Sequence, residues 1–176
     1  MPRHRLMLLA LACAAVPALA TAADDMPRRK SGLWEVTTQI GGTEGRTMPA
    51  IQQCIDAATD DLMRSRGEQM SREMCSKHEM RREGGRIVID SVCRIGETTS
   101  TTRGYFEGDF ETAYRGEIAV SYDPPMAGMK ASSMTLQARW LGPCQPGQKP
   151  GDVIMPGHGG MNLKDMMKHA PAGGTP

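Results

Sequence analysis

Met155, His158, Met161, Met166, Met167 and His169 crowd into fifteen residues near the C-terminus, and thioether sulfur beside imidazole is the donor set that suits Cu(I). No repeat fixes a coordination geometry among them. Methionine in such a segment also has an ordinary role, as a flexible apolar side chain open to oxidation. Copper binding by this tail is therefore the second reading of the chain, and no other cofactor is expected. His78 could pair with Asp90 across a hairpin and serve as a base, but a strand histidine is ordinarily a plain surface or core residue. The phosphate-cradling glycine loop, the H-E-x-x-H metal helix and the G-x-S-x-G nucleophile turn are all absent. Catalysis is not expected.

Cysteine offers the other chemistry. Residues 1–22 combine Arg3 and Arg5, an apolar run over 6–16 and small residues at Ala18, Ala20 and Ala22, the three parts of a secretory signal peptide. The run is interrupted at Pro17, short of the ~20 apolar residues a spanning helix needs, so no transmembrane segment is expected once the leader is cleaved. Cleavage removes Cys13 and leaves Cys54, Cys75, Cys93 and Cys144. An even count in an exported chain reads as two disulfides, in a periplasmic or secreted protein. The closest spacing is 18 residues, which does not suit the close C-x2-4-C pairs of structural zinc.

Of 176 residues, 39% are hydrophobic and 23% charged, with 21 Lys and Arg against 20 Asp and Glu. Such balance provides no basic field for nucleic acid, and nucleic acid is not expected as a partner. In the stretch 64–86, Arg64, Arg66, Arg72, Arg81, Arg82 and Arg86 alternate with Glu68, Glu73, Glu79 and Glu83, the pattern of a solvated mixed-charge face. Only seven residues are aromatic, so the core is expected to rely on aliphatic side chains and methionine.

The elements that must position these groups are mostly strands. Residues 33–40 alternate, with Trp34, Val36, Thr38 and Ile40 on one face. A second extended piece covers 48–54, where Pro49 suggests an edge position. Asp56 is a good N-cap for a short helix over 57–66, with a further helical turn over 68–74. From residue 76 the period is two. Strands over 76–82 and 87–93 flank Gly84 and Gly85; another runs over 98–106. The clearest strand places Phe110, Thr112, Tyr114, Gly116, Ile118, Val120 and Tyr122 on one face, and Met134, Leu136, Ala138 and Trp140 mark the last.

Short turns make consecutive strands antiparallel neighbours in a meander. Cys75 and Cys93 then fall at one end of the sheet and Cys144 at the other. With a three-residue hairpin loop, 83–85, Cys75 lies directly across from Cys93, which leaves Cys54 to Cys144. The tail, 145–176, has 12 Gly or Pro among 32 residues and is expected to be disordered, with at most a short helix capped by Asn162.

Gly32-Leu33-Trp34-Glu35-Val36, Cys54-Ile55-Asp56, the spaced Cys75 and Cys93, Gly104, Gly108-Asp109 and the closing Trp140-Leu141-Gly142-Pro143-Cys144 together resemble the domain-of-unknown-function family thirty-six seventeen, over about 31–144. The resemblance implies an exported four-cysteine domain of Gram-negative bacteria and carries over no activity. The expected architecture is thus α+β: a leader over 1–22, a single disulfide-stabilised domain over 23–144, and the tail. The domain is a curved antiparallel β-meander of about seven strands with one short helix and two disulfides. Its expected role is non-catalytic binding or structure in the envelope, with a small apolar ligand or an envelope protein as partner.

Overall fold

The computed structural model of the chain describes residues 26–41, 46–157 and 159–169. The expected leader and His158 lie outside the described residues. Ten strands and two helices follow in the order β1 (Gly32–Gly41), β2 (Arg46–Thr47), β3 (Ile51–Ile55), α1 (Ala57–Met74), β4 (Cys75–Glu83), β5 (Arg86–Ile95), β6 (Thr98–Gly108), β7 (Ala113–Met126), β8 (Met129–Gly142), β9 (Asp152–Met155), β10 (Gly159–Asn162) and α2 (Leu163–His169). One antiparallel sheet takes the order β10-β9-β3-β1-β8-β7-β6-β5-β4, with β2 beside β1. All seven expected strands are present. The additions are three short ones: β2, and β9 and β10 within the tail expected to be disordered, where the backbone amide of Gly151 donates to Cys54 and that of Leu163 to Gly151. Bonds of this kind hold the tail against β3, so β3 is an inner strand between β1 and β9 rather than an edge.

Helix α1 is one uninterrupted element of 18 residues, not a short helix followed by a separate turn. It begins in a capping box: the Asp56 side chain accepts from the Thr59 amide at 2.8 Å, and the Asp56 amide donates to the Thr59 hydroxyl at 2.9 Å. Gly67 costs helix propensity but lies in open space, so the helix runs through it. At its start α1 leaves β3 where Ile55 lies opposite Gly32. At its finish it enters β4 where Cys75 lies opposite Cys93, at the other end and the far edge of the sheet. The helix must therefore cross the sheet. Met63 packs against Trp34, Val36, Ile55 and Ala138, which fixes the face it crosses.

That face is the apolar one. Register brings Trp34 opposite Trp140, Val36 opposite Ala138 and Tyr114 opposite Ala138 on the other side. The scarce rings are concentrated rather than dispensed with: Trp34, Phe106 and Phe110 all meet Tyr114, at centroid distances of 5.6, 6.5 and 4.9 Å. Gly116 leaves the space the Phe106 ring occupies, since a Cβ there would collide with it. Methionine contributes less to the core than composition suggests. Met63 joins the core cluster, whereas Met48, Met70, Met74, Met129, Met161 and Met166 are exposed.

Both disulfides pair as expected, Cys54 with Cys144 and Cys75 with Cys93, but the second does so by a different route. The β4–β5 hairpin turns on two residues, Gly84 and Gly85, both at positive φ, so Glu83 pairs with Arg86. That register alone would put Cys75 opposite Arg94. A bulge between Cys75 and Lys77 shifts the strand by one residue and restores Cys93 as the partner. Two-residue turn and bulge together replace the three-residue loop.

A second correction concerns residues 109–112, which form a turn instead of the start of β7. Phe110 adopts φ 58°, a region costly for any residue but glycine. Asp109 holds it there: its carboxylate accepts from the amides of Glu111, Thr112 and Ala113 and from the Thr112 hydroxyl. These donors, the Thr112 hydroxyl foremost, hold the Asp109 carboxyl far below its usual range. Asp56 is lowered by Thr59, Asp61 by Arg28, Asp90 by Arg81, Glu107 by Arg86 and Arg115, and Asp152 by Asn162.

Each of these carboxylates has a folded pKa below its unfolded one, so the unfolded chain binds more protons in acid. Their stabilisation is complete above the ordinary carboxylate range and is lost as pH falls through the depressed folded values. The thermal midpoint should stay level from neutral pH to about 5 and fall steadily below about 4. Asp109→Asn should lower the midpoint at pH 7 and make the acid slope shallower. Scanning calorimetry from pH 7 to 2 checks this; parallel slopes for the two proteins would remove Asp109 as a contributor.

Candidate functional site

Beneath α1 the sheet is not fully covered. A pocket of about 320 Å3 lies between the helix, the apolar face and the segment 26–31 that leads into β1. Val36, Leu136, Phe110 and Tyr114 form its floor and Met63 part of its roof, with Met26 and Pro27 at one side. The leading segment is fastened at several points. Arg28 makes two bonds to Asp61 at 2.9 and 3.0 Å, the Lys30 amide donates to the carbonyl of Phe110, and the Lys30 ammonium sits 3.9 Å over the Trp140 ring. Trp34 Nε1 donates back to the Lys30 carbonyl at 2.7 Å.

The polar end of the pocket is Arg29, whose side chain is 13% exposed, against Asp60 at 11%. A charge so placed is stable only when fully partnered. Asp60 accepts from the Arg29 amide and Nε at 2.9 and 2.8 Å, and a terminal nitrogen of the guanidinium lies 2.8 Å from the same carboxylate. Gln53 accepts from the other terminal nitrogen at 3.0 Å, and the Met63 sulfur lies 3.9 Å from the guanidinium. Tyr114 lines the same pocket, and burial raises its phenol pKa above the usual value. No buried side-chain nitrogen or oxygen lacks a partner among the described residues.

A larger concavity, about 1160 Å3, spreads over the opposite face of β4 to β8. Its charges are occupied with one another: Arg81 bonds Asp90 and Glu83, and Arg86 and Arg115 share Glu107. This is a solvated mixed-charge face of a half-buried sheet, and of the stretch 64–86 it takes in Arg81, Glu83 and Arg86, the residues before Cys75 belonging to α1. It is open and polar, so the smaller apolar pocket is the better candidate site.

The expected pairing of His78 with Asp90 does not form. His78 is exposed and lies opposite Ser91, and Asp90 is bonded by Arg81. The tail methionines are distributed over three elements. Met155 is in β9 and Met161 in β10, while Met166 and Met167 are in α2, which His169 closes. Met161 and Met166 are 38% and 50% exposed. Among the described residues no group of three His, Cys, Asp or Glu is placed to hold a metal ion. Nothing in the sequence pattern singled out Arg29 or Asp60, and Phe110 stood there only as a face residue of a strand. The signals were there in part, because Asp60 sits in the first turn of a recognisable helix and Gly108-Asp109 announces a turn.

A family model described as a protein of unknown function (DUF3617) matches residues 29–144. No curated protein and no solved structure matches the chain.

Proposed function

The chain belongs to the DUF3617 family of proteins of unknown function, and we propose that it is an exported, non-catalytic binding domain that holds a small apolar ligand between α1 and the sheet. The observation that carries this reading is the 320 Å3 pocket with apolar walls and one compact polar end. Export is supported by the leader-like residues 1–22 and by two disulfides, which form and persist in oxidising compartments. No helix among the described residues is long and apolar enough to cross a membrane.

The test is a titration with 1-octanol, followed by calorimetry, on the oxidised protein and on Leu136→Trp, which fills the cavity. About 0.5 kcal/mol for each of roughly nine heavy atoms gives a Kd on the order of 1 mM for the natural chain. The variant should lose this binding and keep its thermal midpoint within a few degrees. Absence of binding to the natural chain, or equal binding by both, refutes the pocket as the site.

A further inference from the structure

Resting on the pocket as the binding site, we infer that its ligand is uncharged throughout, a neutral chain or ring of about ten carbons, and that acids and phosphate-bearing amphiphiles are excluded. A methylene group displaces about as much volume as a water molecule, ~30 Å3, and sets that length against the 320 Å3 available. The exclusion of charge follows from Arg29. A guanidinium has five N–H donors. Here Nε bonds Asp60, one terminal nitrogen bonds Gln53, and the other lies 2.8 Å from the Asp60 carboxylate and 3.9 Å from the Met63 sulfur. Each guanidinium nitrogen already has a partner, and Asp60 already cancels the charge that would draw in a carboxylate.

The other cation on the wall, Arg64, is bonded to Asp61 at 2.9 Å. An anion entering the pocket would lose its hydration and would have to displace Asp60 to regain a partner, leaving that buried carboxylate without its countercharge. A neutral apolar molecule gains the contacts of Val36, Leu136, Met63 and Phe110 and disturbs nothing. Arg29 and Asp60 are thus specificity-determining residues: they close the polar end of the pocket with a pair that asks nothing of the ligand.

Matched titrations of the oxidised protein with 1-octanol and octanoate at pH 7 test the inference. Octanol should bind more tightly by more than about tenfold. Between pH 7 and 5 the apparent affinity for octanoate should rise as the probe takes up its proton, and the affinity for octanol should stay constant. Asp60→Asn uncovers the Arg29 charge and should reverse the preference; the pH comparison needs no variant and stands if that one fails to fold. Octanoate binding as tightly as octanol at pH 7 overturns the inference and leaves the pocket as a ligand site. Binding of neither probe overturns both.

Discussion

Removing the Cys54–Cys144 bridge, as Cys54→Ala with Cys144→Ala, lowers the thermal midpoint by about 15 °C, the yield of a 4–5 kcal/mol loss in a domain of this size. The bridge joins residues 90 apart, and a loop of that length is close to the upper end of what a crosslink contributes by limiting the unfolded chain. The loss competes with a net stability of about 5–15 kcal/mol for a whole domain. Cys54 is fully buried, and the bridge fastens the end of β3 to the segment after β8, beside the tail strands that pair with β3. The Cys75–Cys93 bridge closes only 18 residues and should be worth about 3 kcal/mol. Thermal melts of the two double variants, and of the natural chain with and without reductant, check the order. A midpoint indifferent to reductant would mean that the core stands without its crosslinks.

Trp34→Ala should destabilise the domain by about 3–5 kcal/mol, the range for truncating a large buried ring. Trp34 is entirely shielded, lies at the centre of the cluster with Val36, Ile55 and Ala138, and carries the Tyr114 contact on which the other rings converge. Its indole nitrogen also fastens the segment that walls the pocket. Trp34→Phe separates the two contributions: it keeps a ring in the core, strands the Lys30 carbonyl and should cost about 1–2 kcal/mol. Urea unfolding of both variants measures the difference. A cost below about 1 kcal/mol for Trp34→Ala would show that the core is not organised around this side chain.

Much of this fold was legible because its signals are local. Alternation in residues 33–40 and 134–140 identified the buried faces of β1 and β8, and Asp56 marked the start of α1. Antiparallel order was enough to choose the cysteine partners, although the bulge at Cys75 and Lys77 is invisible to a periodicity argument. Three things were not legible for a common reason: they depend on who packs against whom at long range. β9 is four residues long and β10 is half glycine, too little pattern to announce a strand, and they are ordered because β3 offers a ladder to join. Phe110 continues the alternation of β7 on paper, yet the Asp109 turn takes it out of the strand and lays its ring on Tyr114. Arg29 and Asp60 are 31 positions apart, and only the crossing of α1 over the sheet brings them together at the pocket.

The pairing of β1 with β8 has a consequence for how the molecule comes into being. Glu35 meets Arg139 across that seam, so the first long strand to emerge has no neighbour on that side until the last long strand arrives. Contacts of such range are slow to form and cannot be made by a partial chain. The hairpins of β4 to β7 can form as they appear, but the sheet joins its two halves only once β8, ending at Gly142, is available to β1.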